Sequence, residues 1–215
     1  MKAVPLAGTF ISFELESWRT MANSYALSYE QFKAAKEAKD PEIKKELIDL
    51  GHTFESTSDT EVVLHAYTEW GSSCLQKFIG MFAFAVLNTI DNKIFCARDR
   101  AGVKPFFYYF KDGLFLFSSE LKPFHEHPRF QKKLDKNAIA AFMQYGNVPT
   151  PHCIFENCFK IRPGHYMELN IDETSFQKMS LAHQKEYWNV YDGYNQPKLD
   201  LSFEEAKKKT EDVLS

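Results

Sequence analysis

Apolar residues recur along the chain with two different periods, and the change of period divides it. Between residues 40 and 79 the spacing is helical: Asp40 suits a helix cap, Pro41 the first turn, and Ile43, Leu47 and Leu50 share a face before Gly51. Ser58-Asp59-Thr60-Glu61 has the spacing of a capping box, in which the serine hydroxyl takes one unpaired amide and the glutamate reaches back to another. A second helix is predicted there, buried through Val62, Val63, Ala66 and Tyr67 and ended by Gly71; Cys74, Leu75 and Phe78 supply one more turn.

The period then becomes two. Residues 81–87, 93–98, 106–110 and 114–118 are aromatic-rich runs parted by Asp91-Asn92 and Asp112-Gly113, turn residues that tolerate positive φ, and they predict an antiparallel meander. In residues 82–86 and 115–117 both faces are apolar, so each sheet must be covered on both sides. Further on, the pattern predicts a helix over 134–145, a proline-rich passage at 149–151 and a strand over 165–169. Residues 187–197 read as a linker, and Ser202-Phe203-Glu204-Glu205 is a second capping box opening a helix with Phe203, Ala206, Thr210, Val213 and Leu214 to one side. Before residue 40 the only alternating stretch is 8–15.

Composition acts mainly by exclusion. With 26 Lys plus Arg against 29 Asp plus Glu, the net charge of −3 gives no surplus of cations for a phosphate backbone, which argues against nucleic acid as a partner. An apolar content of 44% with 20 phenylalanines marks a folded globular chain. Its 215 residues suit one large domain, or one plus the start of another. No run approaches the roughly 18 apolar residues of a membrane span, and the start shows no secretory signal, so a cytoplasmic protein is expected. Four cysteines are too sparse for a disulfide framework, which makes reduced thiols the expectation.

Four segments in order then carry a resemblance: 58–67 (Ser-Asp-Thr-Glu-Val-Val-Leu-His-Ala-Tyr), 80–85 (Gly-Met-Phe-Ala-Phe-Ala), 97–105 (Ala-Arg-Asp-Arg-Ala-Gly-Val-Lys-Pro) and 117–122 (Phe-Ser-Ser-Glu-Leu-Lys). Together they resemble the amino-terminal class II glutamine amidotransferase domain of the glutamine-hydrolysing asparagine synthetases, with Ala101 and Ser118 as small departures. The resemblance implies an α+β fold of the N-terminal-nucleophile hydrolase type, a four-layer α/β/β/α sandwich, incomplete here at its N-terminal side. It implies a domain plan of an atypical leader at 1–39, a partial amidotransferase domain at 40–186, a linker at 187–201 and the first helix of a truncated synthetase domain at 202–215. In the family an N-terminal Cys attacks the glutamine carboxamide with its own α-amine as base, and the released ammonia passes to a synthetase domain that uses ATP and magnesium to activate aspartate.

This chain departs from that pattern. Lys2 follows Met1, and no cysteine occurs before Cys74. The place of the family's Asn-Gly oxyanion pair falls on Ala34, Ala35 and Lys36, and losing even one such donor costs about a hundred- to a thousandfold in rate. The family's pyrophosphate loop does not follow the helix opened by Ser202. No catalytic residue is therefore assigned. The expectation is an inactive fragment of an asparagine synthetase-like protein, needing no cofactor itself, with glutamine as the parent's substrate and a synthetase domain or full-length homologue as partner. The rival reading is a non-catalytic module that binds glutamine or docks on a synthetase.

Asp59 is the one remnant of the glutamine site, implied to pair with the substrate's α-ammonium; its bland role is to favour the helix start. Arg98 and Asp99 read as a structural pair at a corner, and Cys74 and Cys96 as buried hydrophobes. His125-Glu126-His127 and His152-Cys153 with Cys158 lack the paired spacing that zinc requires. Thr9, Ser12 and Ser24 are unmarked as processed nucleophiles, and Lys207-Lys208-Lys209 opposite Glu204, Glu205 and Glu211 is an ordinary solvated face.

Overall fold

The computed structural model describes residues 2–5, 11–13, 41–171 and 183–214. In chain order the strands are β1 (Lys2–Pro5), β2 (Ile11–Phe13), β3 (Ala83–Asn88), β4 (Lys93–Arg98), β5 (Phe107–Lys111), β6 (Leu114–Ser118), β7 (Cys158–Lys160), β8 (His165–Asn170) and β9 (Gln184–Glu186). The α-helices are α1 (Pro41–Asp49), α2 (Asp59–Trp70), α3 (Cys74–Lys77), α4 (Lys136–Tyr145), α5 (Val190–Tyr194) and α6 (Phe203–Leu214).

Two antiparallel sheets stack face to face. Sheet I has the order β1-β3-β4-β8-β9 and sheet II the order β2-β6-β5-β7. The predicted meander thus splits between the sheets, β3 with β4 in one and β5 with β6 in the other. At the β5–β6 hairpin Asp112 and Gly113 both take positive φ, 48° and 73°, as a two-residue turn of this hand demands.

Alternation along the strands explains why both faces are apolar. Ala85 of β3, Ile94 and Cys96 of β4 and Met167 of β8 face Phe106, Tyr108, Phe115, Phe117 and Ile161 between the sheets. Their neighbours Phe84, Val86, Phe95 and Ala97 turn the other way, onto Ile43 and Leu47 of α1, Ala66 and Tyr67 of α2, and Cys74, Leu75 and Phe78. On the outer side of sheet II, Tyr109, Leu114 and Leu116 pack on Phe124, Phe130, Cys153 and Cys158. The result is the expected four layers, the one outside sheet II supplied by the 3₁₀ turn at Lys122–Glu126 and the coil around Phe130 and Cys153. Burial of each large apolar side chain favours this arrangement by about 1.5–3 kcal/mol.

Several local expectations are refined. Ser58 caps α2 by accepting from the Thr60 amide, but Glu61 reaches further back than a capping box requires, accepting from the Glu55 and Ser56 amides at 2.7 and 2.8 Å and from the Ser56 hydroxyl. The box at Ser202 closes in both directions, with the Ser202 amide donating to Glu205 at 2.9 Å and the Glu205 amide to the Ser202 hydroxyl. Phe203, the first residue of that helix's apolar stripe, is 79% exposed. Within the supposed linker, Asn189 caps the short helix α5 by accepting from the Tyr191 amide. From the leader, β1 pairs with β3 and β2 with β6, so each sheet takes an edge strand from it. Ala34, Ala35, Lys36, Thr9 and Ser24 lie outside the described residues.

Candidate functional site

Asp59 stands in the first turn of α2, half-buried, where the partial positive charge of the helix start favours its carboxylate. It borders a small cleft, open to solvent, whose other described walls are Ile43, Val62, Val63, Phe78, Ile79, Phe82 and Phe84. Among the described residues of this apolar lining Asp59 is thus the single polar one, and no cysteine is among them.

The five hydrogen bonds of the Arg98-Asp99 corner are structural in character. Arg98, at the end of β4 and 8% exposed, donates to the carbonyls of Lys104 at 2.8 Å, Ile161 at 2.7 Å and Gly102. Asp99, 1% exposed, accepts from the amides of Val103 and Lys104, both at 2.9 Å, one on each carboxylate oxygen. Burial lowers the guanidinium's pKa, and the neighbouring Asp99 charge works against that shift. The pair thereby locks the loop after β4 to the approach to β8. Gly102 is required within it: its φ is +66°, and a Cβ there would lie 2.7 Å from Pro163 Cγ.

A polar relay that sequence reading missed joins α2 to the loop before it. His52 Nδ1 and His65 Nδ1 are 3.0 Å apart, and His52 Nε2 meets Glu69 Oε2 at 2.9 Å. Glu61 lies 3.9 Å from His65 Nε2, and its pKa is lowered, first by the Ser56 hydroxyl and then by the Glu55 amide. The signal was present in the sequence, since Glu61, His65 and Glu69 succeed one another at four-residue intervals on one helix face. A buried glutamine was also missed. Gln184 of β9 donates to the Tyr108 hydroxyl at 3.0 Å and to the Lys160 carbonyl at 3.1 Å, and accepts from the Arg162 amide, so it ties sheet I to sheet II.

The four thiols divide into two kinds. Cys74 and Cys96 are fully buried; burial pushes Cys74 up to about 12 and Cys96 up as well, as expected of inert hydrophobes. Cys153 and Cys158 instead act on one another: the neighbouring Cys158 thiol favours the Cys153 thiolate and drives Cys153 down to about 7, while Cys158 is driven up. The amides of Phe155 and Ile154 and the Lys160 ammonium reinforce the shift at Cys153. Of the histidines considered as metal ligands, His125 stacks on Phe130 and His127 Nδ1 accepts from the Arg129 amide. Among the described residues no cluster of three or more His, Cys, Asp or Glu is arranged to hold a metal ion. Nor is any helix among them long and apolar enough to cross a membrane.

The chain is similar in sequence to curated proteins. Asparagine synthetase [glutamine-hydrolyzing] 3 of Bacillus subtilis is 41% identical over 150 residues, covering 69% of this chain and 23% of the relative. Putative asparagine synthetase [glutamine-hydrolyzing] 2 of Methanocaldococcus jannaschii is 36% identical over 140 residues, 64% of this chain and 27% of the relative. The chain thus spans about a quarter of the length of the curated relatives it matches. Among solved structures, the glutamine phosphoribosylpyrophosphate amidotransferase of B. subtilis complexed with ADP and GMP aligns over 67% of this chain and 25% of its own, at 18% identity and a TM-score of 0.39. The family model described as the glutamine amidotransferase domain matches residues 40–188, most of the chain, which therefore belongs to that family.

Proposed function

We propose that this chain is the amidotransferase portion of an asparagine synthetase-like protein and that these 215 residues do not themselves hydrolyse glutamine. In this reading glutamine is the parent's nitrogen donor, a synthetase domain or full-length homologue is the partner, and ATP and magnesium serve the parent's synthetase chemistry. The observation that carries it is the surroundings of Asp59: among the described residues, a carboxylate on an otherwise apolar lining with no thiol. A glutamine site needs several convergent polar groups, for the α-ammonium, the carboxylate and the developing oxyanion. One acidic side chain supplies only the first. The same reading puts the protein in the cytoplasm, which the four free thiols support. Purified chain incubated with glutamine is expected to release no glutamate above the uncatalysed background, while an intact homologous synthetase assayed alongside does; release by this chain overturns the assignment.

A second reading, a docking module for a synthetase, is favoured by apolar side chains left at the surface. Phe142, Met143 and Tyr145 on α4 are 50%, 80% and 62% exposed, and Tyr191 and Tyr194 on α5 are 66% and 84% exposed. Residues of this kind mark interaction surfaces when they gather in one patch. Capture of a homologous full-length synthetase by the tagged chain, lost on replacing Phe142 and Met143 by Ser, supports docking; calorimetry with glutamine separates this reading from the glutamine-binding one.

A further inference from the structure

Cys153 and Cys158 lie where two short extended segments approach each other on the outer side of sheet II. Residues His152 and Phe159 form an antiparallel bridge, and the Lys160 amide donates to the Pro151 carbonyl at 2.8 Å on one side of it. One step along the same register, on the other side of the bridge, Cys153 stands opposite Cys158. Directly opposed residues in antiparallel pairs have Cα atoms about 4.5–5.5 Å apart, inside the roughly 4.4–6.8 Å span that a disulfide bridges. Both side chains are buried there, 3% and 2% exposed.

The surroundings distinguish the two sulfurs. Around Cys153 converge the Ile154 and Phe155 amides, the Cys158 S–H and the positive charge of Lys160, whose Nζ is held by the Val148 carbonyl at 2.7 Å. Such a set of donors favours a thiolate, the form that attacks disulfides. Cys158 is shifted the opposite way, toward the neutral thiol. Both are buried, yet His152 beside Cys153 is exposed, so the site lies directly beneath the surface.

We propose that Cys153 and Cys158 are a redox-active dithiol that a low-molecular-weight disulfide of the oxidised-glutathione class converts to an intramolecular disulfide. The Cys153 thiolate attacks one sulfur of the small disulfide, the S–S bond breaks, and one small thiolate leaves with its electron pair and takes a proton from solvent. Cys158 then gives up its proton and attacks Cys153 Sγ, displacing the second small thiol. The protein pair loses two electrons and two protons, and the small disulfide becomes two thiols. This chemistry is independent of the glutamine reading.

The test uses the whole chain exposed to excess oxidised glutathione, quenched by alkylation in denaturant and mapped by mass spectrometry. The expected result is loss of two of the four thiols, a linked Cys153–Cys158 peptide, unmodified Cys74 and Cys96, and full recovery on adding dithiothreitol. In Cys158→Ser the reaction stops at a stable glutathione adduct on Cys153. Retention of all four thiols, or linkage only between separate chains, overturns the proposal. Because the mapping on the unaltered protein decides this by itself, poor folding of the variant does not blunt the test.

Discussion

The Tyr187 hydroxyl donates to the backbone carbonyl of Arg98 at 2.9 Å, a contact across 89 residues of chain. It joins the segment after β9 to the corner at the end of β4, and burial raises the Tyr187 pKa, so the phenol stays a donor throughout the working pH range. Tyr187→Phe keeps the ring and removes the donor. The variant is expected to lose about 1 kcal/mol, read as a lower urea midpoint with an unchanged slope.

Asp99 carries a heavier share of the same corner. Asp99→Ala strips the acceptor from the partly buried Val103 and Lys104 amides and removes the negative charge beside the buried Arg98. A loss of about 3 kcal/mol is expected, measured by chemical denaturation. Asp99→Asn, which keeps one acceptor oxygen, is expected to fall between.

Gly164 tests backbone geometry. Its φ is +65°, and a Cβ there would run into the Trp188 carbonyl. Gly164→Ala is expected to cost on the order of 3 kcal/mol and to lower the melting temperature, whereas Gly113→Ala, with a similar φ but open space, is expected to cost less.

Glu61 makes stability depend on pH on the acid side. Its folded pKa lies below the ordinary 4.5 because the ionised form accepts from Ser56 and from the Glu55 amide. The stabilisation is therefore complete above the unfolded value and fades as pH falls through the folded one. Unfolding midpoints taken from neutral pH downward are expected to drop below about pH 4.5 more steeply in the unaltered protein than in Glu61→Gln.

For Asp59 the two roles predict different behaviour. As a helix-start carboxylate, Asp59→Asn costs about 0.5 kcal/mol and glutamine leaves the melting temperature unchanged in both proteins. As a ligand group, saturating glutamine raises the melting temperature of the unaltered protein and not of the variant.

The meander and α2 were legible because each is specified locally: alternation fixes the faces of β3 to β6, Asp112-Gly113 fixes a hairpin, and Ser58 fixes a helix start. The short strands β7 and β9 left no such trace. Three residues each give too little periodicity, and both are held by pairing with distant strands, with Gln184 bound through side-chain contacts to Tyr108. The inert state of Cys74 was readable from its apolar neighbours. The partnership of Cys153 with Cys158 was not, because five residues of spacing say nothing until the His152–Phe159 bridge folds the loop back.

The leader's two strands have a bearing on how the molecule comes together. Val4 lies against Ala85 and Ser12 against Leu116, so each sheet is completed on one edge by a strand far removed in sequence from its neighbour. Until those pairings form, the outer rims of β3 and β6 offer bare amides and carbonyls to any passing strand. Closure of both sheets is thus a late, long-range event, and the nascent chain is most exposed to misassociation in the interval before it.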